Sequence, residues 1–77
     1  MAAKRVFQVI IEQDEAGYFV AECPTLKACH TQGKTFEEAI ANIKDVIRLC
    51  LADLRKNGRP IPTQPEIIGV KRIEIVA

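Results

Sequence analysis

Residues 35–58, "TFEEAIANIKDVIRLCLADLRKNG", constrain this chain more than any other stretch. Thr35 can accept from the N–H of Glu38 while Glu38 reaches back to the N–H of Thr35, the reciprocal pairing of a capping box. Glu37 and Glu38 suit the positive end of a helix, and Arg55 and Lys56 suit its negative end. Gly58 stands where a left-handed residue stops the helix. Between these signals Phe36, Ala39, Ile40, Ile43, Ile47, Cys50, Leu51 and Leu54 recur at helical spacing, and Val46 and Leu49 widen the stripe. About 22 helical residues give a rod of ~33 Å. A broad apolar stripe on one long helix needs a sheet beneath it, and the C-terminal end is expected to overhang that sheet and meet another chain.

The remaining segments supply the sheet. "RVFQVIIEQ" (5–13) alternates Phe7, Val9 and Ile11 against Val6, Gln8, Ile10 and Glu12, a strand with one strongly apolar face. Asp14 and Gly17 give "DEAG" the chemistry of a turn. "YFVAEC" (18–23) resumes the alternation, with Phe19, Ala21 and Cys23 on one face and Tyr18, Val20 and Glu22 on the other. Two such runs across a short polar loop make an antiparallel hairpin. Pro24 lacks an N–H and ends the second strand. "LKACHTQ" (26–32) forms a third strand, broken by Gly33. After the helix, "RPIPTQPE" holds three of the four prolines and is an extended linker. "GVKRIEIVA" (69–77) closes the chain as a half-charged edge strand, with Lys71, Ile73 and Ile75 opposing Val70, Arg72, Glu74 and Val76. The expected class is α+β, a two-layer βββαβ arrangement with one long helix on a small four-stranded sheet. A single helix covers one sheet face only, which leaves Ile10 and Val20 on the other to meet water or a partner.

Seventy-seven residues make one domain, spanning 1–77. A chain this short buries only ~60–65% of the surface its unfolded form exposes. With no tryptophan and four aromatics, its thin core favours self-association as a dimer or tetramer. The net charge of +1 lacks the basic bias of a nucleic-acid binder. The apolar run near the N-terminus is interrupted by Gln8 and ends at Ile11. It is too short for a membrane span or a secretory core. Three cysteines cannot all pair within one chain, so reduced thiols and a cytoplasmic setting are expected.

"CPTLKACHTQGKT" (23–35) gathers Cys23, Cys29 and the only histidine, His30. The C-x₅-C-H spacing differs from the paired ligands of zinc sites. Adjacent Cys29 and His30 on a strand face opposite ways, which separates them both as ligands and as nucleophile and base. The thiols are expected to be small buried apolar groups. Asp14 with Glu15 and Glu37 with Glu38 are accounted for by a turn and a helix first turn. Arg55, Lys56 and Arg59, with Lys71 and Arg72, offer a basic patch, but no helix-turn-helix pair or stacking aromatic strand accompanies it. No catalytic, cofactor-binding or metal-binding residue is assigned, and no cofactor or enzymatic activity is expected.

The run "VIIEQDEAGYFVAECPTLKACHTQGKTFEEAIANIKDVI" resembles the HicB-like antitoxin domain. That family typically shows a strand, D-x-x-G-Y, a second strand, P-x-L-x-G-C-x-T-x-G-x-T-x-E-E-A, and then a helix. The matching residues are Asp14, Gly17, Tyr18, Pro24, Leu26, Cys29, Thr31, Gly33, Thr35, Glu37, Glu38 and Ala39, and Asn42 fits the helix. The match covers residues 5 to 58 and departs at Ala28, where the family usually has glycine. The resemblance implies a degraded ribonuclease H-like fold. It also implies a type II antitoxin that binds and masks a small basic mRNA-cleaving toxin, HicA-like, with no nuclease activity of its own. The first strand agrees, having no central carboxylate to hold a metal. Many family members append a DNA-binding domain, which this short sequence lacks, so direct DNA binding is not expected. Asp14, Glu15, Tyr18 and Glu22 are the candidate contact residues, chosen for acidic groups that would face toxin lysines and arginines. The alternatives are an oligomeric nucleic-acid-binding module and a solitary protein without a cognate toxin.

Overall fold

The computed structural model describes residues 5–63 and 65–76. Three strands, β1 (Ile10–Gln13), β2 (Phe19–Glu22) and β3 (His30–Gly33), precede one helix, α1 (Phe36–Lys56). The strands form an antiparallel meander in the order β1-β2-β3. Ile11 pairs with Ala21 and Ala21 with Thr31. Ile10 pairs with Glu22 and Glu22 with His30. Because side chains alternate, the Ile11–Ala21–Thr31 row faces α1 and the Ile10–Glu22–His30 row faces away.

The strands are shorter than the β-favouring runs that contain them. The register sets Ile10 against Glu22, so Val9 would face Cys23 and Gln8 would face Pro24. Proline has no N–H for that ladder, and the chain turns away there. The turn is closed by backbone bonds from Leu26 N–H to the Cys23 carbonyl (3.1 Å) and from Cys23 N–H to the Cys29 carbonyl (2.9 Å). Residues 5–9 therefore continue β1 without a ladder partner. Residues 26–29, expected at the start of a strand, form this loop instead, with Ala28 at φ 56°.

α1 follows its end signals closely. Thr35 Oγ1 accepts from Glu38 N–H at 3.0 Å. The return bond differs from expectation, because the Glu38 carboxylate accepts from Lys34 N–H, at 3.3 Å, and not from that of Thr35. At the other end Gly58 has φ 64°. Its N–H reaches the Arg55 carbonyl and Arg59 N–H reaches the Leu54 carbonyl, which is the Schellman arrangement.

α1 packs on β3 and β2. Ala21, Cys23, Leu26, Cys29, Ala39 and Ile43 are buried, and Phe7, Val9, Ile11, Phe19, Ile47, Cys50, Leu51 and Leu54 surround them half-buried. Phe19 meets Phe36 edge-on at 6.4 Å between centroids. Leu49, which was to widen the stripe, is 70% exposed.

The expected fourth strand is absent from the sheet, which has three strands and not four among the described residues. The linker passes β1 at Gln8, whose side chain donates to the Pro65 carbonyl (3.4 Å) and accepts from Ile67 N–H. Beyond that point the chain runs outward, with Ile73 73% and Ile75 80% exposed. The three prolines of the linker all precede Ile67, and residues 68–76 beyond them pair with no strand among the described residues. The radius of gyration of 14.8 Å compares with about 11.5 Å for a compact chain of this length.

Candidate partner-binding face

The hairpin between β1 and β2 turns on Asp14. Its carboxylate accepts from Tyr18 N–H at 2.9 Å, its own N–H donates to the Tyr18 carbonyl, and its carbonyl accepts from Gly17 N–H. Gly17 takes φ 88°, which a side chain would resist. Asp14 is thus engaged in shaping the turn. Glu15, beside it at the tip, is exposed.

Tyr18 and Glu22 lie elsewhere. Alternation along β2 puts Tyr18, Val20 and Glu22 on the face turned away from α1. Ile10 and Glu12 join them from β1, because Ile10 is registered with Glu22 and Glu12 with Val20. β3 adds His30 and Gln32. Ile10 and Val20 are half-buried, Tyr18 is 36% exposed, and Glu12, Glu22 and His30 are exposed. The result is an apolar centre flanked by two carboxylates that are diagonal neighbours, ~7 Å apart.

The four expected contact residues therefore do not form one cluster. Tyr18 and Glu22 share the outer face, whereas Asp14 and Glu15 occupy the tip. Asp14 sits across from Tyr18, four residues of strand or ~13 Å from Glu22, so the tip carboxylates lie beyond the screening length of ~8 Å at physiological salt from that charge. Glu12 also belongs to the outer face, opposite Val20, and is not among the four expected contact residues. Its signal was present in the alternation Val6, Gln8, Ile10, Glu12, but placing it beside Glu22 requires the register.

The thiols converge beneath the loop. Cys23 and Cys29 are buried, Cys50 is half-buried, and all three are free. Burial pushes the Cys29 thiol up to about 12, helped by hydrogen bonding and charge from Cys50 and then by Cys23. A thiol held in that range carries no thiolate near neutral pH, and thiolate is the nucleophilic and metal-binding form. His30 lies on the opposite sheet face. Among the described residues no group of three or more His, Cys, Asp or Glu is arranged to hold a metal ion. No helix of the described residues is long and apolar enough to cross a membrane.

Fold and face together define a small α+β module whose most distinctive surface is an acidic-edged apolar sheet face. The profile of the HicB_like antitoxin of bacterial toxin–antitoxin systems matches residues 7–74. A UPF0150 protein of Synechocystis is 39% identical over 72 residues, covering 94% of this chain and 97% of the relative. A UPF0150 protein of Thermoplasma acidophilum is 48% identical over 56 residues, or 73% of this chain and 81% of the relative. A third, from Helicobacter pylori, is 53% identical over 49 residues, or 64% of this chain and 67% of the relative. The chain belongs to the HicB-like antitoxin family.

Proposed function

We propose that this protein is the self-associating antitoxin of a type II toxin–antitoxin pair, acting in the cytoplasm without catalysis of its own. Its partner is a small basic mRNA-cleaving toxin of the HicA-like kind, which it binds and masks. Membership of the HicB-like family is the observation that carries this reading. The degraded ribonuclease H-like arrangement, with a fourth strand, is part of the same proposal.

The outer sheet face supports the contact. Ile10, Val20 and Tyr18 offer apolar area that α1 leaves uncovered, while Glu12 and Glu22 offer charge to a basic partner. Steering by opposite charge raises the rate of encounter, and apolar burial supplies affinity. Asp14 and Glu15 at the tip add acidic charge at the end of the same hairpin. The toxin is expected to be encoded as a short basic open reading frame adjacent to this one.

Co-expression with that frame is the test. The wild type restores growth, and Glu12→Lys with Glu22→Lys abolishes the rescue while leaving helix content unchanged, since both side chains are exposed. A protein that rescues no neighbouring basic frame, or a double variant that rescues fully, refutes the respective part of the reading.

A further inference from the structure

A groove of about 550 Å³ runs between residues 5–9 and α1. Phe7, Val9, Ile40, Ile43, Ile47 and Leu51 give it an apolar floor, and Arg5, Lys44, Arg48 and Arg55 line it as well. It lies on the β1 side of the sheet, where the stripe of α1 extends past the last strand. The two sheet edges differ. On β3 the Asn42 side chain donates to the Gln32 carbonyl at 2.9 Å, so the helix itself occupies part of that edge. Among the described residues no strand lies beside the outer edge of β1. An open strand edge next to an apolar groove is a template for one further strand, whose alternate side chains would point into the groove.

The chain carries a segment of that description. Residues 69–76 alternate as a strand, with Ile73 and Ile75 on one face, and Val70, Ile73, Ile75 and Val76 are all strongly exposed. Their own chain holds them away from their own groove. Gln8 bonds to Pro65 and Ile67, and the segment that follows leaves Ile73 and Ile75 exposed and not seated in the groove. A linker stiffened by three prolines favours exchange of an element between identical chains.

We propose that residues 69–76 of a second copy add along the outer edge of β1 and seat Ile73 and Ile75 in the groove, and that the exchange is reciprocal. Each chain then gains the fourth strand its sequence encodes, from its partner. Val70, Arg72, Glu74 and Val76 face the opposite side, and Lys71 extends its stem past the groove toward water. A two-fold axis makes both sites identical, as a closed dimer requires. The proposal rests on the self-association reading and is independent of toxin binding.

The full-length protein tests it by analytical ultracentrifugation with hydrogen exchange. The wild type is expected to be dimeric, with slow amide exchange in 70–76 and in 5–12. Ile73→Asp with Ile75→Asp changes only exposed positions and weakens association on the order of a hundredfold or more, exposing both sets of amides. Ile47→Glu blocks the groove and gives a monomer. Mixed one to one, the tail variant and the groove variant form a heterodimer, because the intact tail of one meets the intact groove of the other. Circular dichroism establishes that each variant keeps its helix. If Ile47→Glu misfolds, the tail variant and its exchange pattern decide alone. Three results overturn the proposal: a wild-type monomer with slow exchange in 70–76, which places the segment in its own groove; a tail variant that stays dimeric; or a folded groove variant that dimerises alone, which indicates tail-to-tail pairing. A monomeric tail variant that still rescues from the toxin separates this inference from the antitoxin reading, and a dimer that rescues nothing separates them the other way.

Discussion

Ala28 adopts a φ of 56°, a left-handed conformation that crowds a Cβ against the carbonyl that follows and costs roughly 1–2 kcal/mol outside glycine. The loop is held there by the bonds among Cys23, Leu26 and Cys29, which turn the chain from β2 into β3. Ala28→Gly is expected to raise stability by about 1 kcal/mol or less, because glycine's freedom in the unfolded chain offsets part of the relief. A rise in Tm of several degrees in thermal melts would be the sign, and no change would mean that Ala28 is not strained. Cys29 makes a second prediction at this scale. Its thiol titrates near 9 ordinarily and at about 12 in the fold, so between those values the folded state binds more protons than the unfolded. Stability is fully present below pH 9 and falls as pH climbs towards 12. The measurement is the difference between wild type and Cys29→Ala in urea melts. The loss above pH 9 should be steeper for wild type.

At the scale of elements, the legible features were those written in local chemistry. The capped helix emerges over Phe36–Lys56 with Thr35 as its cap, and the turn at Asp14–Gly17 closes as its residues require. Strand lengths were not legible, because a run such as 5–13 advertises β structure whether or not a partner exists along all of it. Only the register shows that Pro24 deprives Gln8 and Val9 of a ladder. Gly33 shows the same division. The sequence marks it as a strand breaker, yet its larger constraint is spatial, since a Cβ there would lie 2.6 Å from the Ala39 nitrogen. The first turn of α1 therefore sits directly on the end of β3, and that contact aligns the helix over β2 and β3. The candidate face was half legible. Alternation puts Tyr18 and Glu22 together, but Glu12 enters only through pairing, and Asp14 turns out to be engaged in its own turn.

For the whole molecule, the six buried hydrophobic residues among the described residues run from Ala21 to Ile43, while the segment with the strongest apolar alternation after α1 stands in solvent. The alternation of 69–76 predicts a fourth strand, but no strand forms there among the described residues, because pairing is a property of what lies alongside. The proposed strand exchange couples folding to association, and stability then rises with protein concentration because mass action favours the dimer. The wild-type Tm is therefore expected to rise with concentration from micromolar to millimolar. A chain ending at Gly69 keeps the buried cluster and α1, so it should still fold, with a lower Tm that no longer varies with concentration. Differential scanning calorimetry of both across that range supplies the comparison. A concentration-independent wild type would place all of its stability within one chain, and a truncated chain without helical signal would mean that the 21–43 core does not suffice alone.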